Sequence, residues 1–232
     1  MIRKICCDTA MNFKPLNARK EYYMNEYLEN QLNKLVVYQQ LKDNCERNNQ
    51  HEVLALVAKI GIFAVERLKT VIKNMPEFTL HDDAHIFNML TIIGKLIPQE
   101  NMRKLSTPDL FMLIVSVFLH DIGMAPDEKH ILAWKNQLPE TEYDEELKEE
   151  REKFARFRLT YTHQLADIER LEAEQEFSKA QLLEDYIVTE YIRTTHSIRA
   201  REIIAKYWAG EIVYQDTDLT EDLATICFSH NE

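Results

Sequence analysis

The sequence predicts an all-α fold: a helical bundle with an N-terminal helical extension and a charged helical insertion. Two observations carry this expectation. With 4 glycines and 6 prolines in 232 residues, the chain is poor in the turn-forming residues that an all-β or α/β fold of this length needs. Its apolar residues also recur at three- and four-residue spacing, the period of one helix face. An apolar content of 45% is enough to fill one good core at this length, so a single domain is the default.

In chain order, Tyr23, Tyr27, Leu28, Leu32, Leu35, Val36 and Leu41 mark a helix from about Asn17 to Arg47, closed by the break Asn48-Asn49-Gln50. A more apolar helix follows from His51 to Lys73 and stops before Met75-Pro76, because the proline ring disfavours helix at the residue before it. Thr79 and Asp82 form a capping pair for a helix from about Leu80 to Ile97 that ends before Pro98. In Ser106-Thr107-Pro108-Asp109, Thr107 reads as the cap, Pro108 sits in the first turn, and Asp109 lies at the positive end of the helix dipole. That helix carries the apolar run Phe111 to Leu119 and ends at His120-Asp121.

From Asp127 to about Glu176 the character changes. The acidic string Pro139-Glu140-Thr141-Glu142-Tyr143-Asp144-Glu145-Glu146 leads into a charged helical stretch with a sparse stripe of Phe154, Phe157, Leu165, Ile168 and Leu171. This reads as an insertion or lid over the core, its acidic run a solvated face. A last pair of helices, Lys179 to Trp208 and Thr220 to Ser229, is separated by a turn containing Gly210 and aspartates. The domain thus divides into an extension (1–50), a first core half (51–126), the insertion (127–178) and a second core half (179–232).

A formal charge of −11 argues against general affinity for nucleic-acid backbone, while leaving room for a local basic pocket that holds a phosphorylated small molecule. The four cysteines, Cys6, Cys7, Cys45 and Cys227, make no CxxC pair, and no apolar stretch reads as a membrane span or signal peptide. The expectation is a soluble, cytoplasmic protein with no membrane partner.

The residues able to do chemistry are histidines. His81 and His85 are four apart on one helix face. Read as HExxH, the segment His81-Asp82-Asp83-Ala84-His85 replaces the basic glutamate with a shorter aspartate, which weakens a peptidase reading. His81-Asp82 opens a helix, where Asp82 is explained by capping and His81 can simply face water. His120-Asp121 instead closes a buried helix, where such a pair is costly unless something satisfies it. A hydrogen-bonded core pair and a metal-ligand pair both answer that cost, and Gly123 beyond it allows close approach of the chain. Three-residue spacing puts Arg193, His196 and Arg199 on one side of a helix, two cations favouring the neutral, ligating form of the histidine. Arginines there either grip phosphate oxygens or pair with surface carboxylates. Ile226-Cys227-Phe228-Ser229-His230 ends a further helix on histidine.

With His85 in Leu80-His81-Asp82-Asp83-Ala84-His85, His120-Asp121 in Phe118-Leu119-His120-Asp121-Ile122-Gly123, His196 in Arg193-Thr194-Thr195-His196-Ser197-Ile198-Arg199, and His230 at the end, the chain resembles the HD superfamily of metal-dependent phosphohydrolases. The resemblance covers about 50–126 and 180–232, and leans towards bacterial HD domains found upstream of GHKL-type ATPase modules. It implies one or two divalent ions (Mn, Fe, Mg, Co, Ni or Zn), with His85, His120 and Asp121 as ligands of the first and Asp121 bridging to a second held by His196 and His230. It also implies His81 as the acid that protonates a leaving oxygen, Arg193 as a catalytic and substrate-binding residue, and Arg199 as a phosphoryl contact.

Two features depart from the family pattern. The closing aspartate of the family has no clear counterpart before Glu232, with only Asp216, Asp218 and Asp222 as substitutes, and Met124 stands where many members have lysine. The first departure suggests an N-terminal piece of a longer protein with a covalently attached C-terminal domain. The functional expectation is hydrolysis of a phosphomonoester or phosphodiester of a nucleotide or other phosphorylated small molecule. The alternatives are a nucleotide- or metal-binding regulatory module without turnover, and a helical interaction domain with incidental histidines.

Overall fold

The computed structural model describes residues 26–74 and 83–229, and they form an all-α bundle. A short helix, 26–32 (α1), is followed by α2 (Val36–Asn48), α3 (His51–Asn74), α4 (Asp83–Leu96), α5 (Gln99–Met102) and α6 (Thr107–Leu119). A 3-10 turn, Ile122–Met124, leads to α7 (Glu128–Trp134), α8 (Glu145–Arg158), α9 (Thr162–Ala173) and the long α10 (Phe177–Trp208). A two-residue hairpin, β1 (Val213–Tyr214) and β2 (Thr217–Asp218), precedes α11 (Thr220–Ser229). The Thr79–Asp82 capping pair, the Met75-Pro76 boundary, His81 and His230 lie outside the described residues.

The centre of the bundle is α6, which buries Leu110, Phe111, Ile114, Val115, Val117, Phe118 and Leu119 against α2, α3, α4 and α11. Such a helix has almost no polar face, as expected for an element surrounded by others. Truncating a side chain such as the fully buried Phe118 costs on the order of 3–5 kcal/mol in a core like this. The start of α6 differs by one residue from the sequence reading. Ser106, not Thr107, is the cap: its hydroxyl accepts from the Asp109 amide while the Asp109 carboxylate accepts from the Ser106 amide at 2.9 Å, a reciprocal capping box.

Three further differences from the sequence expectation have local causes. The first predicted helix is broken at 33–35, where 3-10-type bonds close Lys34 and Leu35 onto Gln31 and Leu32, and Gln39 Nε2 donates to the Asn33 carbonyl. Leu28, Leu32 and Leu35 are all buried on the core side, so the apolar period runs through the break and conceals it. The hairpin was read only as a turn; its two loop residues, Gln215 and Asp216, both have positive φ, the type I′ geometry that matches strand twist. Finally, Thr107–Trp134 is long and apolar enough, by length and composition, to cross a membrane. It is not one helix: α6 stops after 13 residues, about 20 Å at helical rise, and its apolar surface is taken up by the bundle.

The insertion is partly built into the core. Phe154, Ile168 and Leu171 join the main cluster, while Ala133, Leu138, Tyr143 and Leu147 form a small cluster of their own. Trp134, Phe154, Phe157 and Tyr191 stack edge-on or tilted between α7, α8 and α10, which seats the charged helices on the long α10.

Candidate metal centre

Three elements deliver their histidines to one carboxylate. α6 ends at Leu119, so His120 and Asp121 sit where the chain leaves the helix and turns into 122–124. Asp121 is 7% exposed. Its Oδ2 lies 2.8 Å from His120 Nε2 and 3.7 Å from His85 Nε2, which α4 supplies. Its Oδ1 lies 3.6 Å from His196 Nε2, which α10 supplies. One oxygen thus faces two imidazoles and the other faces a third.

The imidazoles are oriented from behind. His120 Nδ1 meets the Val117 carbonyl at 2.9 Å, and His196 Nδ1 meets the Arg193 carbonyl. A carbonyl only accepts, so each Nδ1 carries a proton and each Nε2 is left to face Asp121. Carbonyl-anchored imidazoles of this kind are the usual support of metal-ligating histidines. The signal for it was present in the sequence, since both carbonyls belong to the residue three before the histidine. Burial, the largest influence on His120, pulls its pKa down; the hydrogen bond and charge of Asp121, together with the Val117 carbonyl, outweigh it and leave the value raised.

The donor set fits a divalent cation. His85, His120 and Asp121 offer ligand atoms that all lie within 4.8 Å of one another. An ion held at about 2.1 Å from each donor sets neighbouring donors about 3–3.5 Å apart, so separations of 2.8 and 3.7 Å need only small side-chain movements. Nitrogen and carboxylate ligands together suit Mn, Fe, Co, Ni and Zn alike.

The turn after Asp121 is jammed against α10. A Cβ on Gly123 would stand 1.9 Å from the His196 carbonyl oxygen and 2.7 Å from the Ala200 amide. Only glycine permits this contact, and through it the Asp121 turn and the His196 helix share one backbone surface. On the other side, Arg67 of α3 donates from Nε to the Ala125 carbonyl at 3.0 Å and pairs with Asp127 at 3.0 Å. Sequence reasoning missed Arg67, because nothing in its local pattern points to a carbonyl so far along the chain.

The two arginines expected at phosphate are placed differently from each other. Arg193 is on the surface, with its guanidinium 2.8 Å from Glu190, one of the two outcomes left open by the sequence. Arg199 is buried; it donates to the Gly123 carbonyl and to the Thr195 hydroxyl. A polar cavity of about 350 Å³ beside it has walls from α3, α7, α8 and α10, and His85, His120, Asp121 and His196 are not among them. The substitute aspartates Asp216, Asp218 and Asp222 are all exposed, and Asp218 caps α11 through the Thr220 amide and hydroxyl.

A family model described as HD-CE matches residues 75–232, roughly two thirds of the chain. No curated protein and no solved structure matches it.

Proposed function

Because the chain belongs to the HD-CE family and carries an HD-type domain, we propose that it is a divalent-metal-dependent phosphohydrolase acting on a nucleotide or other phosphorylated small molecule in the cytoplasm. The observation that carries this reading is Asp121, with one oxygen towards His85 and His120 and the other towards His196. A divalent ion bound there would supply Lewis acidity and an acidified water for attack on phosphorus. The chain's own part is to hold that constellation: His85 and His120 on one side of the Asp121 carboxylate and His196 on the other, with His230 proposed as a further ligand. His81 is the proposed proton donor to the leaving oxygen, and Arg193 the proposed phosphoryl contact once it leaves Glu190.

The second reading is an HD module that binds metal or nucleotide and regulates an attached domain, such as a GHKL-type ATPase, without turnover. It is favoured by the engagement of both arginines elsewhere, Arg193 with Glu190 and Arg199 with Gly123. Metal content after purification without chelator and product release from a panel of nucleotides and cyclic dinucleotides with added Mn or Mg separate the cases. Wild-type protein holding about one or more equivalents of metal, lost in His120→Ala, with product release that the Asp121→Ala variant lacks, supports the hydrolase. Metal without turnover above that variant supports the regulatory module, and trace metal unchanged by His120→Ala sinks both metal readings.

A further inference from the structure

Arg199 is an unusual place for a guanidinium. It is 8% exposed, it forms no direct ion pair among the described residues, and burial, outweighing the nearby charges of Glu150 and Glu202, depresses its pKa. A charge held this deep with carboxylates nearby but none in direct contact is costly, and its hydrogen bonds offset part of that cost. They are specific. Nη1 donates to the Gly123 carbonyl at 2.9 Å, two residues after Asp121, and Nη2 donates to Thr195 Oγ1 at 2.8 Å, one residue before His196. Thr195 Oγ1 in turn donates to the Tyr191 carbonyl at 2.6 Å, which leaves its lone pairs to the guanidinium. Trp134 and Tyr191 present their rings at 5.1 and 5.9 Å and hold the guanidinium in place.

We propose that Arg199 is a positioning residue of the metal centre: its guanidinium ties the turn that carries Asp121 to the stretch of α10 that carries His196, and so sets the gap between that carboxylate and that imidazole. The proposal rests on reading the cluster as a metal site. Its geometric basis is that one side chain bonds to both sides of the gap, at the point where Gly123 lies against the His196 carbonyl with no space for a methyl group. Arginine is suited to this because its fork reaches two acceptors at fixed separation, whereas a lysine at the same place is a point donor on a flexible stem.

The test uses the full chain loaded with Co(II), whose d–d absorption reports coordination geometry, together with calorimetric titration of Mn(II). Arg199→Lys is expected to weaken metal binding by about 10- to 100-fold, the range for loss of an outer support of a ligand, and to shift the Co(II) bands. Thr195→Val, which removes one of the two acceptors and leaves the guanidinium, is expected to shift the bands in the same direction by less. A merely structural arginine would lower the melting temperature of the metal-free protein and leave the Co(II) spectrum of the folded fraction as in wild type. That outcome overturns the positioning role, and if Arg199→Lys does not fold, an unchanged spectrum in Thr195→Val does the same. Absence of metal binding in wild type instead sinks the metal reading itself, and the positioning role with it.

Discussion

Cys227, on α11, reports on the centre from outside it. Burial first, and then the charge of Asp121, push its thiol up to about 12, and its Sγ lies 3.8 Å from the Ser116 carbonyl. Since the thiolate is the reacting species, alkylation of Cys227 at pH 8 should run about a thousandfold slower in the native protein than in guanidinium. Peptide-level mass spectrometry of a labelling time course checks this; equal rates would mean that α11 does not seal that side of the cluster. At this scale the sequence was informative about the residues that gather around Asp121 and poor on their supports. Position near a helix end marked His85, His120 and Asp121, and three-residue spacing with Arg193 and Arg199 marked His196 inside α10. The fates of Arg193 and Arg199 were not legible, because both had suitable spacing and the choice between Glu190 and Gly123 depends on tertiary neighbours.

Helix boundaries show the same division between what is local and what is not. The Ser106–Asp109 box was read one residue late, since serine and threonine are both good caps and only the folded backbone decides between them. Ser106 hydrogen bonds hold the Asp109 carboxyl below its ordinary value of 3.8. A depressed carboxylate stabilises the fold above that value and loses its contribution as pH falls through the folded pKa. Ser106→Ala should therefore cost about 1 kcal/mol at neutral pH, and the gap from wild type should narrow as pH falls below 3.8. Urea unfolding across that range measures it; a gap that does not change with pH would show that the carboxylate takes no part. The helix α6 was legible because its start signal and apolar run agreed, and α3 because its apolar residues keep the helical period. The break at 33–35 was not, because Leu28, Leu32 and Leu35 stay in phase through it, and the hairpin was not, because Gln215-Asp216 lacks the glycine that usually announces such a turn.

At the scale of the whole fold, two apolar clusters of unequal size among the described residues divide the labour. The large one runs from α1 to α11, and the small one, Ala133, Leu138, Tyr143 and Leu147, belongs to the insertion alone. A cluster this small holds its segment weakly, so hydrogen exchange should be faster in residues 135–147 than in α6. Leu138→Ala should speed exchange there and leave protection in α6 unchanged; loss of protection in α6 as well would show that the two clusters open as one. The large cluster also joins helices that are remote in sequence. His85 and His196 lie almost half the chain apart, and Gly123 meets α10 only after the insertion has been made. During synthesis, then, His85, His120 and Asp121 leave the ribosome well before His196 exists. The three-helix grip on Asp121 therefore comes into being only once the ribosome has made α10.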